Sequence, residues 1–348
     1  MPSRYIFTAA VFLLWVASFG LASNVGGIDL LATFMLASPL SILAGIALYV
    51  TYVVVCILVL YYSLGYANLK VPFTGVAKGW MFGSFVDNIS PTVAPLGKFG
   101  MAYFMERFYN VAYSKSLAAL GMYMSSWGIS ASMFSTVGII LSQAIVGIPD
   151  KYLPFAIFAL VFYFAATTIW LLLLTKKEWM RRIVHAFIRP YNRVYGRVMH
   201  KKVTFDSRVY DIVFDRSYAS LALVMKSKTH MMASVALFLI PQLGQVLGLY
   251  FIIAGFGVSI PFFALLMIHV VSSMTAFLSV IPGGLFVYEA AIVTLSSSAA
   301  PGMGQFILAA VLLYRLIFLW ATNLLGGLIG IMQGIGRIDR ESAPRYRW

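Results

Sequence analysis

Charge is what this sequence has least of. Only 10% of its 348 residues are Asp, Glu, Lys or Arg, against 61% hydrophobic. Soluble domains carry about 25% charged residues, so a water-soluble globular fold is excluded. A single cysteine, Cys56, cannot form an intramolecular disulfide and carries no information on redox compartment. Four scattered histidines with one cysteine give no metal-ligand spacing. Also missing are a nucleophile–base pair, a glycine loop leading into Lys-Ser/Thr, and any ATP motif. No metal, cofactor or nucleic-acid partner is expected, and no catalytic motif supports an enzymatic role.

What the chain does have is long apolar runs. A bilayer core of about 30 Å takes about 20 apolar residues per helix. The runs are continuous, whereas barrel strands would alternate, and helices satisfy their own backbone in lipid. The expected fold is an all-α polytopic membrane protein with about eight spans: Tyr5–Ser23, Pro39–Leu64, Ser114–Gly147, Pro154–Thr175, Thr229–Ala254, Ser259–Val280, Leu285–Ala299 and Gln305–Met332. The first resembles a signal peptide but lacks a convincing cleavage site, and an even helix count needs it. The seventh, at 15 residues, is short where about 17–25 is usual.

Charge sets the orientation. Between Lys176 and Lys228 stand 13 Lys and Arg against Glu178, Asp206, Asp211 and Asp215, a net of +9 out of +14 for the chain. The positive-inside rule places this segment, Arg4 and the arginine-rich tail in the cytoplasm. Both termini then face the cytoplasm of a multi-pass protein of the cell membrane. The resulting division is a first transmembrane half at 1–175, a basic amphipathic cytoplasmic segment at 176–228, a second transmembrane half at 229–336 and a basic tail at 337–348. In "KKEWMRRIVHAFIRP" the residues Trp179, Met180, Ile183, Val184, Phe187 and Ile188 fall on one helical face. Arg181, Arg182 and Arg189 lie largely opposite. Such a helix lies on an anionic membrane surface, either attracting lipid head groups or anchoring the topology.

Each half is interrupted once by proline and glycine: "NISPTVAPLGKFG" at Asn88–Gly100 and "SVIPGGLFVYE" at Ser279–Glu289. Each half is therefore expected to carry a broken or re-entrant segment. Broken backbone at membrane depth is tolerated where it is buried or lines a wet cavity, and transporters built from repeats place such breaks near the binding site. In the first break Pro91, Pro95 and Gly97 bend the chain. Lys98 sits inside it, to contact a lipid phosphate or to snorkel to the interface. Glu106 and Arg107 follow. In the second, Pro282, Gly283 and Gly284 precede a helix whose free N–H groups favour anions.

The 108 residues between Lys228 and Arg337 contain one acid, Glu289, and one base, Arg315. A charge at the bilayer centre costs about 2.5–3.5 kcal/mol even on insertion scales, so neither is expected to face lipid. At 1.5 Å per residue Arg315 lies about 15 Å from the outer end of its helix and Glu289 about 7 Å from the inner end of its own, a gap of about 8 Å that an arginine spans. The two form either a site for an anionic group or a structural ion pair, and Glu289 is also placed to complement the positive end of its helix.

These motifs resemble those of the lysylphosphatidylglycerol synthase transmembrane family, over nearly the whole chain. The family's late motif, Pro-Gly-Gly-x-Gly-x-x-Glu followed by an arginine in the last long helix, stands here as "IPGGLFVYEAAIVTL" and "AAVLLYRLIFLW". Pro282, Gly283, Gly284, Glu289 and Arg315 match it, and Phe286 occupies the place of a usual glycine. "SPTVAPLGKFGMAYFMERFYNVAYSKSLAAL" is similar to the early motif, with Lys98 where a small or acidic residue is frequent. An acid–arginine pair expected on the next long helix is replaced by "GMYMSSWGIS". The resemblance implies lipid handling. Known members flip aminoacylated phospholipid between leaflets, and a separate soluble domain performs aminoacyl transfer; with Trp348 so close after Gly336, no such domain is expected here.

The expected function is a flippase or scramblase moving an anionic or aminoacylated phospholipid, or a polyprenyl-phosphate-linked lipid, through a polar intramembrane cavity. The alternatives are a membrane-embedded head-group-modifying enzyme and a non-transporting partner of a separate lipid synthase. The expected substrate-binding set is Pro282, Gly283, Gly284, Glu289, Arg315, Pro91, Pro95, Gly97, Lys98, Glu106 and Arg107, with membrane lipids as partners and either a homo-oligomer or a synthase complex left open.

Overall fold

The computed structural model describes residues 30–90, 96–182, 214–221 and 227–334. The expected span Tyr5–Ser23, Pro91, Pro95, Arg189 and the tail lie outside the described residues. The described chain is all helical. The elements are α1 (Leu30–Met35), α2 (Pro39–Tyr66), α3 (Phe73–Ile89), α4 (Leu96–Tyr109), α5 (Tyr113–Ile145), α6 (Leu153–Thr175), α7 (Lys228–Gly255), α8 (Phe262–Leu278), a 3-10 turn (Pro282–Gly284), α9 (Val287–Ser296), α10 (Gly304–Arg315), a π turn (Leu316–Trp320) and α11 (Ala321–Met332). Short helical stretches also occupy 177–182 and 214–221.

Among the described residues five helices are long and apolar enough to cross a membrane: α2, α5, α6, α7 and the continuous run Gly304–Met332. Their ends fall within about two residues of the expected spans, because proline, glycine or charge punctuates a uniformly apolar run there. Two expected spans are helical over shorter stretches than expected. Ser259–Val280 is helical over Phe262–Leu278, and Leu285–Ala299 only over Val287–Ser296. Two helices appear where no span was expected, α3 and α4. At 17 and 14 residues and carrying Lys78, Asp87, Lys98, Glu106 and Arg107, they are too short and too polar to register as apolar runs.

The chain forms two compact units, one of residues 1–51, 77–101 and 244–348, the other of 52–76 and 102–243. The second is organised by α5 and α6. Small and hydroxylated residues let these helices approach, and hydroxyls bond across them, as expected where lipid supplies no hydrophobic drive. Ser132 Oγ lies 2.8 Å from Thr167 Oγ1 and donates to the carbonyl of Tyr163 at 3.0 Å, and Trp170 Nε1 donates to Ser125 Oγ at 3.2 Å. The opposite face of α6 presents Phe155, Phe158, Val161 and Ile169 outward, a face suited to lipid. At one end of this unit the 214–221 helix closes on α6. Leu221 packs with Ala118 and Leu174, and the Tyr218 hydroxyl donates to the Leu173 carbonyl.

In the first unit the helices that flank each break run antiparallel. Along α3 and α4, Gly83 faces Met101 and Asp87 faces Gly97. Along α8 and α9, His269 meets Tyr288 and Ala276 meets Gly284. The sequence pairs rise on one strand of the hairpin as they fall on the other, which fixes the reversal. The last helix, α11, lies on α3 through Gly326 and Gly330, where a Cβ on Gly326 would stand 2.2 Å from the Met81 carbonyl oxygen. That close approach is the usual work of small residues four apart in membrane helices.

Candidate functional site

The second break is built from backbone that side chains resist. Gly283 and Gly284 have φ of 62° and 61°, and Phe286 has φ 65° with ψ −35°. The glycines adopt this region without penalty, whereas Phe286 is held there by its surroundings. At Gly284 a Cβ would also stand 2.6 Å from the Cβ of Ala276. The sharp turn sends α9 back along α8 and starts it at Val287, so Glu289 lies in its first turn beside the unpaired N–H groups of the helix start.

Arg315 comes to the same place from the end of α10, immediately before the π turn. Its Nε donates to Glu289 Oε1 at 2.8 Å, and its Nη2 donates to the backbone carbonyl of Gly283. One guanidinium thus ties the broken backbone to the last span. The glutamate side chain is 9% exposed and the arginine side chain 11%. Glu289 Oε2 is buried without a hydrogen-bond donor, and Arg315 Nη1 donates to no described residue. The Arg315 guanidinium carbon lies 5.1 Å from the centroid of the Tyr288 ring, a cation–π arrangement. The Tyr288 hydroxyl is 2.9 Å from His269 Nδ1, whose ring Nε2 is 3.4 Å from Ser273 Oγ. Tyr288, Tyr314 and Phe318 stack in sequence.

The first break is clamped differently and touches the second. Asp87 accepts the Gly97 N–H at 2.6 Å through Oδ1 and binds Lys98 at 2.6 Å through Oδ2. An acid at the end of α3 therefore caps the first turn of α4, where a carboxylate meets the positive helix end. Next to it, Asn88 Nδ2 donates to Asn323 Oδ1 on α11 at 2.8 Å. The Asn88 carbonyl oxygen lies 3.3 Å from where a Cβ on Gly283 would be. The two breaks, distant in sequence, thus meet within one unit.

The expected site residues separate accordingly. Pro282, Gly283, Gly284, Glu289 and Arg315 come together, with Gly97 and Lys98 in the neighbouring break. Glu106 and Arg107 belong to the other unit, Arg107 exposed and Glu106 half-buried. On the basic segment, Arg182 is exposed, while Arg181 pairs with Asp215 and Glu178 and lies 5.6 Å over the Phe214 ring. Asp87, Asn88, Asn323, His269, Tyr288 and Tyr314 were not anticipated. The available signals were an acid inside a moderately apolar stretch, a histidine in an almost charge-free half, and the only asparagine of that half.

The family model for the lysylphosphatidylglycerol synthase TM region matches residues 5–326. The chain belongs to that family. It is a multi-pass membrane protein of all-helical fold, and the matched region contains the hairpins and the Glu289–Arg315 pair. A curated relative, the UPF0104 membrane protein PH1989 of Pyrococcus horikoshii, is 22% identical over 271 residues, covering 76% of this chain and 78% of that one. Phe286, at the place where the resemblance expects a glycine, has positive φ, a conformation that glycine adopts freely.

Proposed function

We propose that this chain moves lipid across the membrane, with the head group recognised where Arg315 meets the second break. The observation that carries the reading is the Arg315 guanidinium. It is joined to Glu289 and to the Gly283 carbonyl, with donors left over, in a half that has no other base. A guanidinium holds phosphate oxygens through parallel N–H bonds. The start of α9 adds backbone N–H groups of the same polarity. A membership that includes lipid-synthase membrane regions supports lipid as the cargo class. The cargo is then an anionic or aminoacylated phospholipid or a polyprenyl-phosphate-linked lipid, its head group admitted to a polar site while its chains stay in the bilayer.

In this reading the paired breaks are re-entrant hairpins, the 176–228 segment and both termini face the cytoplasm, and Lys98 with Gly97 forms the second wall of the site. The basic segment attracts anionic lipid to the cytoplasmic surface. The test is flipping of fluorescent anionic and zwitterionic phospholipids in proteoliposomes, comparing wild type with Arg315→Met. Flipping that depends on the head group and is lost in the folded variant supports the reading. No flipping above protein-free liposomes for several head groups overturns it and favours a non-transporting partner of a lipid synthase.

A further inference from the structure

We propose that Glu289 takes up a proton when Arg315 takes up an anionic head group, so that the two cross the membrane together. This rests on the lipid-transport reading above and supplies its coupling ion. At rest the pair is neutral: Glu289 Oε1 faces Arg315 Nε at 2.8 Å, and the other contact of the guanidinium is to a neutral carbonyl, that of Gly283. Among the described residues no other charged side chain is paired with Glu289 or Arg315. The titratable groups packed around the carboxylate are Tyr288 on its own helix, Tyr314 and Arg315 on α10, and His269 on α8, which is bonded to Tyr288. From the first break come Asp87 and Lys98, which neutralise each other at 2.6 Å.

A phosphate monoanion arriving at Arg315 would leave two negative charges against one positive in a buried site. An uncompensated buried charge is strongly disfavoured. A proton on Glu289 removes the excess. The balance is one carboxylate paired with one guanidinium, plus one phosphate anion and one proton, giving one carboxylic acid and a guanidinium paired with phosphate. The site is neutral before and after. The geometry provides the position for that proton: Oε2 is buried and accepts no donor, while Oε1 is engaged. Protonation also releases Arg315 Nε, which with Nη2 on the same edge of the guanidinium offers two parallel N–H bonds to the phosphate. Both side chains are similarly buried, and the anion is drawn to the cationic partner. A zwitterionic lipid brings its own ammonium group and needs no proton.

The test uses the full chain in proteoliposomes with an imposed gradient of one pH unit, the membrane potential clamped, and fluorescent phosphatidylglycerol or phosphatidylcholine as probe. Wild type should accumulate the anionic probe about tenfold in the leaflet facing the alkaline compartment, the limit for one proton per lipid, and leave the zwitterionic probe evenly distributed. An imposed membrane potential should not move the anionic probe, because the loaded site carries no net charge. Glu289→Gln should lose the accumulation, and Glu289→Asp, which keeps an exchangeable carboxyl, should retain it. If Glu289→Gln fails to fold, the wild-type comparison of the two probes decides alone. Even distribution of the anionic probe, or equal responses of both probes, overturns proton coupling and leaves lipid transport standing. Absence of flipping for any probe overturns both.

Discussion

The costs of removing Arg315 and Glu289 singly should add up to far more than the cost of removing both. In Arg315→Met the carboxylate of Glu289 keeps its burial and loses its cation, and the Gly283 carbonyl loses its donor. Breaking one side of a buried pair costs roughly 3–5 kcal/mol, and an unmet buried carbonyl adds about 1–3 kcal/mol. In Glu289→Leu the guanidinium still bonds Gly283 and still covers Tyr288, so about 2–3 kcal/mol is expected, since cation–π contact retains up to about 2 kcal/mol. The double variant replaces an ion pair by two apolar side chains, which is often close to neutral; the Gly283 carbonyl alone leaves about 1–3 kcal/mol. The single costs then exceed the double by about 5–8 kcal/mol, because the carbonyl term is common to Arg315→Met and the double variant and cancels. Neutral interhelical hydrogen bonds in membranes average about 0.6 kcal/mol, so coupling above about 2 kcal/mol identifies charge burial as the cause. Equilibrium unfolding in mixed micelles, followed by tryptophan fluorescence, measures each term. Coupling within about 0.5 kcal/mol of zero, the range for independent sites, would refute the reasoning. The double variant should also fold and fail to flip lipid, separating the stability of the pair from its use.

Three further outcomes follow from single positions. Phe286→Gly should stabilise the protein by about 1 kcal/mol in the same unfolding assay, because relief of roughly 1–3 kcal/mol of backbone strain exceeds the glycine entropy cost of roughly 0.5–1 kcal/mol. Gly326→Ala should cost about 3 kcal/mol, the upper end for overpacking, since the new methyl meets the Met81 backbone at 2.2 Å; a variant as stable as wild type would show that α3 and α11 are not in close contact. The carboxyl of Asp215 is held below its ordinary range by hydrogen bonding to Lys177, with Arg181 adding to the effect. A carboxyl depressed on folding stabilises at higher pH and loses that contribution as pH falls through its folded value. Hydrogen exchange in 214–221, corrected for intrinsic rate, should therefore rise at acid pH, and Asp215→Asn should show the same rise at neutral pH and no further acid response.

The long spans were legible because each is a uniformly apolar run ended by a residue a helix tolerates poorly. The α2 helix begins at Pro39, and α7 begins at Lys228 directly after the basic segment. The α3 and α4 helices were not, since neither reaches the length of a crossing and both contain charges. Those charges are satisfied at the break: Asp87 needs Lys98 and Gly97, which lie beyond Pro91 and Pro95 in sequence. At the site, Glu289 and Arg315 stood out because each is the sole charge of its sign in 108 residues. Their aromatic and amide neighbours had no such contrast. Tyr288 and Tyr314 are two among 20 tyrosines, and only the turn of α9 against α10 sets them beside the guanidinium. Asn88 and Asn323 are 235 residues apart, and their pairing depends on the glycine face that brings α11 against α3.

The two breaks differ in how fully their charged groups are bonded, and that difference is what the proposed site rests on. Both are helix–break–helix elements with an acid and a base at the turn. At the first, the partners are 11 residues apart and belong to adjoining helices. Both Asp87 oxygens are occupied, one by a backbone N–H and one by an ammonium. The pair closes its own hairpin, and each oxygen of its acid already has a donor. At the second, the base comes from α10, outside the α8–α9 pair, and among the described residues the acid has one oxygen without a donor. An incomplete set of bonds is costly in a buried site, so it persists where something else completes it. A phosphate and a proton complete it together: the phosphate answers the spare guanidinium donors, and the proton answers Oε2. Either one alone leaves a net charge in the bilayer interior. The asymmetry between the two breaks is therefore the physical basis for placing head-group recognition at Arg315 and its coupling at Glu289.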